Sequence, residues 1–312
     1  MSNKDHPQLS IVMVGRNDNY GNNFLWRFNQ ALQSIVFHSK KHDVFIEMII
    51  VEWNAPKKTL PLAKTIKFTG SRNIKLRIIT VPPVLHNEFK LNRPLLEFHA
   101  KNVGIRRASA DYILCTNPDI IFLDKLFELI KFNRLGSNNV YRVTRVDLQP
   151  DNSIYKKDDI YKFVDQIDAV KVGSPANSIS GKSPLDFIKN LIFYLIKKIK
   201  WFPYQVPFTR AAGDFLLMHK SIWRNIRGYP ELNDWHYIDG IPIWQAILMG
   251  YKQNILRFSI FHIEHNRKIS GVKPMSSQVK KCYKNLWLEK DKLIINDKNW
   301  GLGKKVLKET KV

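Results

Sequence analysis

The feature that most constrains the fold is a repeated unit: a strand-length apolar run, a polar stop and a helical stretch. Ser10 to Val14 is a short apolar run that ends at Gly15, followed by the polar loop Arg16 to Asn23 and a helical pattern from Phe24 to Phe37. Phe45 to Val51 stops at Glu52-Trp53-Asn54, and Ile74 to Val81 stops at Pro82-Pro83; both have strand length and β-branched content. Pro94 to Ser109 reads as a helix with proline near its first turn and Arg106 and Arg107 near its end, where cations suit the helix dipole. Tyr112 to Thr116 is a fourth strand, broken by Asn117-Pro118. This alternation predicts an α/β fold: a Rossmann-like, mostly parallel sheet flanked by helices, with ligands at the carboxyl ends of strands one, two and four.

At 312 residues with 44% hydrophobic content, the chain can bury one large core, so a single domain with an insertion is expected. Residues 1–146 form the alternating half, and residues 147–207, rich in Asp, Lys, Ser and Pro, read as the insertion, with a helical segment from Pro184 to Trp201. Regular patterning resumes over 208–272, with Gly213 to His219 and Gln253 to His262 as strands and Lys220 to Ile226 and Gly240 to Met249 as helices. Residues 273–312 read as a basic, weakly periodic tail.

Fifty lysines and arginines against 27 aspartates and glutamates give a formal charge of +23, which suits an anionic partner: nucleic acid, acidic lipid or a phosphorylated substrate. Cys115 and Cys282 are too few for a disulfide framework and fit a reducing compartment, so a cytoplasmic location is expected. Met1 to Gln8 is short and polar, unlike a signal peptide, and no uninterrupted apolar run is long enough to span a bilayer. Any membrane contact is therefore expected to be peripheral.

The chemistry concentrates at Asn117-Pro118-Asp119, which a buried strand delivers to the sheet edge before the chain turns apolar again at Ile120. A carboxylate there is fixed by backbone. A divalent ion between it and a diphosphate offsets charge on a departing nucleotide, and hard oxygen ligands suit Mg²⁺ or Mn²⁺. Asp119 is thus the first candidate ligand, although the same three residues also favour an ordinary turn.

The order of Ser10-Ile-Val-Met-Val-Gly-Arg-Asn, Ile50-Val-Glu-Trp-Asn, Ala100-Lys-Asn-Val-Gly-Ile-Arg-Arg-Ala and the Asn117-Pro-Asp turn resembles the nucleotide-binding half of GT-A glycosyltransferases, whose metal motif is Asp-x-Asp. Ala212-Gly-Asp-Phe-Leu-Leu-Met-His, Gly228-Tyr-Pro-Glu, His236-Tyr-Ile-Asp and Phe261-His-Ile-Glu-His resemble the acceptor half, so the likeness covers most of the chain outside the insertion. It implies a GT-A fold and transfer of a sugar, with inversion and metal assistance, from a nucleotide diphosphate sugar. By family habit the nucleotide is uridine, and the acceptor is a glycan or lipid-linked molecule in surface polysaccharide or glycoconjugate synthesis.

The resemblance also implies roles by position. Gly15, Arg16, Asn17, Asp18 and Glu52 fall where the nucleoside is held, and Lys101 and Asn102 fall near the diphosphate. Asn117 and Asp119 would hold the ion with a late histidine, for which His265 is favoured over His262; Asn117 stands where the family has an acid, so the site carries one negative charge fewer. Asp239 matches the position of the base in inverting relatives, and the competing Asp214 is placed in the acceptor pocket. Trp235 and His236 would stack on or hydrogen-bond a sugar. Read as residues alone, Asp239 also suits a helix N-cap, Glu52 a solvated strand end, and Arg106 and Arg107 a helix terminus.

From Leu185 to Ile199 a helical projection gathers Leu185, Ile188, Leu191, Ile192, Leu195, Ile196 and Ile199 on one face and lysines opposite. Such a helix suits an anionic bilayer surface beside a lipid-linked acceptor, and equally a domain surface on which its apolar face is packed. Two other classes compete with the leading one. A nucleotidyltransferase would use Asp119 and a metal on a similar sheet, but Gly15-Arg16-Asn17-Asp18 is not its Gly-rich loop. A basic nucleic-acid-binding protein is supported by charge alone, with no recognition signature, so no nucleic acid partner is expected.

Overall fold

The computed structural model describes residues 6–68, 70–149, 154–157, 159–164, 169–172, 207–234, 236–265, 274–288 and 292–312. Four strands form its parallel centre: β1 (Leu9–Gly15), β2 (Ile46–Trp53), β3 (Ile74–Val81) and β4 (Tyr112–Cys115), in the spatial order β3-β2-β1-β4. Between and after them run α1 (Phe24–His42), α2 (Leu62–Thr65), α3 (Pro83–Asn87), α4 (Glu97–Arg107) and α5 (Asp124–Lys131). The central strands are near-continuous apolar runs because both sheet faces are covered. Along β1, Leu9, Ile11 and Met13 join one core with Phe28 and Leu32 of α1 and Leu126 of α5, whereas Val12 and Val14 join the other with Ala100 and Val103 of α4. Alternation of side chains across the strand divides one hydrophobic run between two cores.

Beyond β4 the sheet becomes mixed. β8 (Leu216–His219) runs antiparallel to β4 and to β6 (Asn139–Leu148), and β9 (Lys252–Ile263) runs parallel to β6. The short β5 (Ile120–Ile121) pairs antiparallel with the end of β9, and β7 (Ala169–Val172) pairs with the far end of β6. The expectation of a mostly parallel sheet thus holds for the first half and gives way to mixed pairing in the second. The helices α6 (Lys220–Ile226) and α7 (Ile241–Leu248) cover the α4 side through Trp223, Ile226, Ile243 and Ala246. Helix α4 lies close on β1 because Gly104 has no side chain: a Cβ there would overlap Val12.

Two expected boundaries move. The division at 146/147 falls inside β6, whose run Asn139–Leu148 carries Arg142, Arg145 and Asp147 and so lacks an apolar signature. The tail contains α8 (Ser277–Leu288) and β10 (Lys308–Lys311), which pairs antiparallel with β3. Arg106 donates to the carbonyls of Lys298 and Trp300 at 3.0 and 3.1 Å, and Arg107 to those of Gly301 and Leu302 at 2.8 and 2.9 Å. These arginines therefore bind the returning chain as well as closing α4. The amphipathic segment expected over Pro184 to Trp201 lies outside the described residues.

At the opposite end of the sheet from the strand carboxyl ends, Glu47 of β2 is buried at 0% exposure; it accepts from Ser10 Oγ at 2.5 Å and from the Ser109 amide at 2.8 Å, and it pairs with Arg77. Burial alone would raise its carboxyl, but these hydrogen bonds and Arg77 hold it below the usual range. A depressed folded value means stability that is present above the unfolded carboxylate pKa and lost as pH falls through the folded one. Glu47→Gln should cost about 2–3 kcal/mol at neutral pH, because Arg77 keeps Glu309, and should flatten the acid limb of stability measured by urea denaturation from pH 7 to pH 3.

Candidate functional site

Antiparallel pairing of β5 with β9 brings the chemistry together. Ile120 lies opposite His262, and the Ile263 amide donates to the Asp119 carbonyl at 3.0 Å, so the turn after β4 is fixed against the end of β9. Asp119, 6% exposed, directs Oδ2 at three cationic or imidazole groups: Arg27 Nη1 at 2.8 Å, His265 Nε2 at 3.4 Å and His262 Nε2 at 3.8 Å. Its Oδ1 is buried without a hydrogen-bond partner. Burial works to raise this carboxyl, but His262, His265 and Arg27 outweigh it and hold it well below the ordinary aspartate range.

His262 lies between two carboxylates. Its Nδ1 is 3.0 Å from Asp147 Oδ1, which leaves Nε2 turned toward Asp119. A carboxylate behind an imidazole fixes the tautomer and ring angle and makes the other nitrogen a better ligand. Burial lowers the His262 pKa, but Asp119 and Asp147 more than reverse this and raise it above the usual histidine range. The ligand atoms of Asp119, His262 and His265 lie within 4.8 Å of one another. One carboxylate oxygen, two imidazole nitrogens and an orphaned oxygen fit a divalent ion. The imidazoles favour Mn²⁺ over Mg²⁺.

The loop after β1 closes over this cluster. Arg27, 1% exposed on α1, also donates to the carbonyls of Tyr20 and Asn22. Gly21 has φ +68, and a Cβ on it would overlap His265, so the loop backbone runs against that ring while Tyr20 meets it edge-on at 5.3 Å. Loops after β1 and β2 are tied together: Arg16 Nε donates to the Asn54 carbonyl at 2.8 Å and pairs with Asp18, and Asn17 Nδ2 donates to the Leu60 carbonyl at 2.9 Å. Glu52 is buried and accepts from the Leu62 amide at 2.7 Å; burial pushes its carboxyl up. Gly15 leaves room for Leu62 beside it.

A second group of carboxylates is wired to the first through a buried lysine. Lys101 Nζ donates to Glu97 at 2.7 Å, Asn117 Oδ1 at 2.8 Å and the Gly213 carbonyl at 2.9 Å. Asn117 Nδ2 donates to Asp214 Oδ1 at 2.8 Å, and Asp214 Oδ2 accepts from Arg145 at 2.6 Å. Arg145 also pairs with Asp147 at 2.8 Å, which returns the network to His262. The Gly213 amide donates to Asp239 Oδ2 at 3.0 Å. Burial, with Asp214 adding to it, pushes the Asp239 carboxyl above the usual range against the opposing Gly213 amide and Arg142.

Several expected roles change. Asn117 uses its oxygen on Lys101 and its nitrogen on Asp214, and His262 joins Asp119 and His265 in the group that could hold an ion. Asn102 is enclosed by the fold, bonding the Tyr229 amide and carbonyl at 2.8 Å each and Glu231 at 2.9 Å. Lys101 is likewise internal, with Glu97, Asn117 and the Gly213 carbonyl as its partners. Asp239 is not a helix cap: Gly240 is the N-cap residue of α7. His236 is part-buried beside Asp234, and Trp235 lies outside the described residues. Arg27 and Asp147 escaped the sequence reading. For Arg27 a signal existed, a cation on the same helical stripe as Phe24, Ala31 and Ile35.

No protein-family profile matches the chain, and no curated protein matches it. Because Lys101 is buried with its charge met internally, Lys101→Met should lower stability by about 3–5 kcal/mol in chemical denaturation. A lysine serving only phosphate would leave stability unchanged.

Proposed function

We propose that this protein is an inverting glycosyltransferase of the GT-A type that uses a nucleotide diphosphate sugar, a uridine one, and a hydroxyl acceptor on a glycan or lipid-linked molecule. The observation that carries the reading is the pairing of Asp119, with its orphaned oxygen, to His262 and His265 at the carboxyl ends of the parallel strands. Sheets of this kind bind nucleotides at that edge. Asp119, His262 and His265 would hold a divalent ion, and when bound it neutralises charge on the departing diphosphate.

The chain's own residues account for the rest. Asp147 orients His262, and Arg27 orients Asp119 while adding positive charge where a diphosphate would lie. The loops tied by Arg16 and Asn17 offer the nucleoside its walls. Asp239 takes the acceptor proton: the Gly213 amide fixes Oδ2, and burial makes the carboxylate a stronger base than a solvated aspartate. As the acceptor oxygen attacks the anomeric carbon, its proton passes to Asp239, and the bond to the diphosphate breaks on the opposite face. Among the described residues no helix is long and apolar enough to cross a membrane, so a lipid-linked acceptor would be met at the surface.

Calorimetry should show tighter binding of a uridine diphosphate sugar with Mn²⁺ than without, a gain that Asp119→Ala removes. Asp147→Asn should weaken Mn²⁺ by about 10- to 100-fold; binding indifferent to Mn²⁺ would sink the site. Asp239→Asn should keep donor binding and lose transfer. In the wild type, turnover should fall on the acid side as pH drops through the raised Asp239 pKa, since the protonated acid accepts no proton. A pH–rate profile with its acid limb at an ordinary aspartate value would move the base elsewhere.

A further inference from the structure

A second set of imidazoles and carboxylate stands at the other end of α1. His38 and His42 are four residues apart on one helical face and meet Asp124 at the start of α5. His38 Nδ1 is 3.1 Å and His42 Nε2 2.6 Å from the same oxygen, Asp124 Oδ1, and the three ligand atoms lie within 4.8 Å of one another. His38 follows Arg27 by eleven residues, which at about 1.5 Å per residue puts the two clusters about 16 Å apart along the helix. The set is therefore independent of the Asp119 site.

The rings are held in place before any ligand arrives. Both stack on Phe127 of α5: His38 at 5.4 Å and 28°, His42 at 6.3 Å and 14°, with the two imidazoles themselves near parallel at 26°. His38 is 4% exposed, so its position is set by packing. A tetrahedral Zn²⁺ with ligand distances of about 2.0–2.1 Å separates neighbouring donors by about 3.3 Å. The observed 3.1 Å already matches this, and 2.6 Å must open slightly. A cation already shares the carboxylate: Lys41 Nζ, on a half-exposed side chain, lies 2.8 Å from the same Asp124 oxygen. A flexible lysine is easily displaced by a better-coordinated charge.

We propose that His38, His42 and Asp124 form a binding site for a borderline divalent cation of the Zn²⁺ class, which joins the C-terminal turn of α1 to α5. Three protein ligands leave a fourth position for water or a partner's donor group. Lys41 is the competing cation that keeps the carboxylate paired when no metal is bound.

The test uses the full untagged chain carrying His262→Gln and His265→Gln, which take the imidazoles from both ion-holding groups at the other site, stripped with EDTA and titrated with Zn²⁺ by calorimetry and with Co²⁺ by visible absorption. One Zn²⁺ per chain should bind, and Co²⁺ should give the intense bands of a tetrahedral site. Adding His42→Gln or Asp124→Asn should weaken Zn²⁺ by about 10- to 100-fold, and adding Lys41→Ala, at a surface position that does not threaten folding, should tighten it several-fold. No Zn²⁺ uptake by the chain carrying His262→Gln and His265→Gln overturns the proposal. So does affinity unmoved by His42→Gln, or weakened or unchanged by Lys41→Ala.

Discussion

The ammonium of Lys101 has no access to water, so each of its donors and its whole charge must be met inside the protein. Three groups meet it, and they come from distant parts of the chain: Glu97 one helical turn earlier, Asn117 after β4 and the Gly213 carbonyl before β8. Satisfying one lysine thereby locks the turn that carries Asp119 to the segment whose amide holds Asp239. The two carboxylates given separate chemical tasks are thus set in register by a residue that touches neither. Asp214, held by Asn117 and Arg145, belongs to the same frame.

The Asp119 cluster shows how burial and charge divide labour. Asp119 and Asp147 alternate with Arg27, His262, His265 and Arg145, so each buried carboxylate faces an arginine and at least one imidazole. Such an arrangement costs desolvation and returns geometric uniqueness. Arg27 is the counterweight on which this depends: from α1 it reaches the loop carbonyls and Asp119 at once, linking the loop after β1 to the turn after β4.

The strands β1 to β4 and helices α1, α4 and α6 were legible because each obeys its own hydrophobic period, and Asp119 and His265, singled out by residue type, are groups the structure does bring together. β6 was not. Arg145 and Asp147 turn inward to charged partners and the buried Arg142 to the Arg210 carbonyl, which removes the alternation that marks a strand. Lys101 and Asn102 illustrate a different gap: a polar residue in a helix can serve a ligand or the fold, and only its three-dimensional partners decide. That His262 joins His265 beside Asp119 rests partly on Asp147, 115 residues before His262 in sequence and so invisible to local pattern.

The last strand, β10, lies beside β3, with Arg77 gripping Glu309 through two hydrogen bonds across 232 residues of chain. Contacts of such separation form late and slowly. During synthesis the edge of β3 therefore emerges early and waits uncovered while most of the remaining chain is still being made. Lys308, Glu309 and Lys311 place charges along the strand that finally covers it, which discourages another chain from adding there. Until β10 arrives, the nascent protein presents the β3 edge as a template on which a strand of another chain can pair.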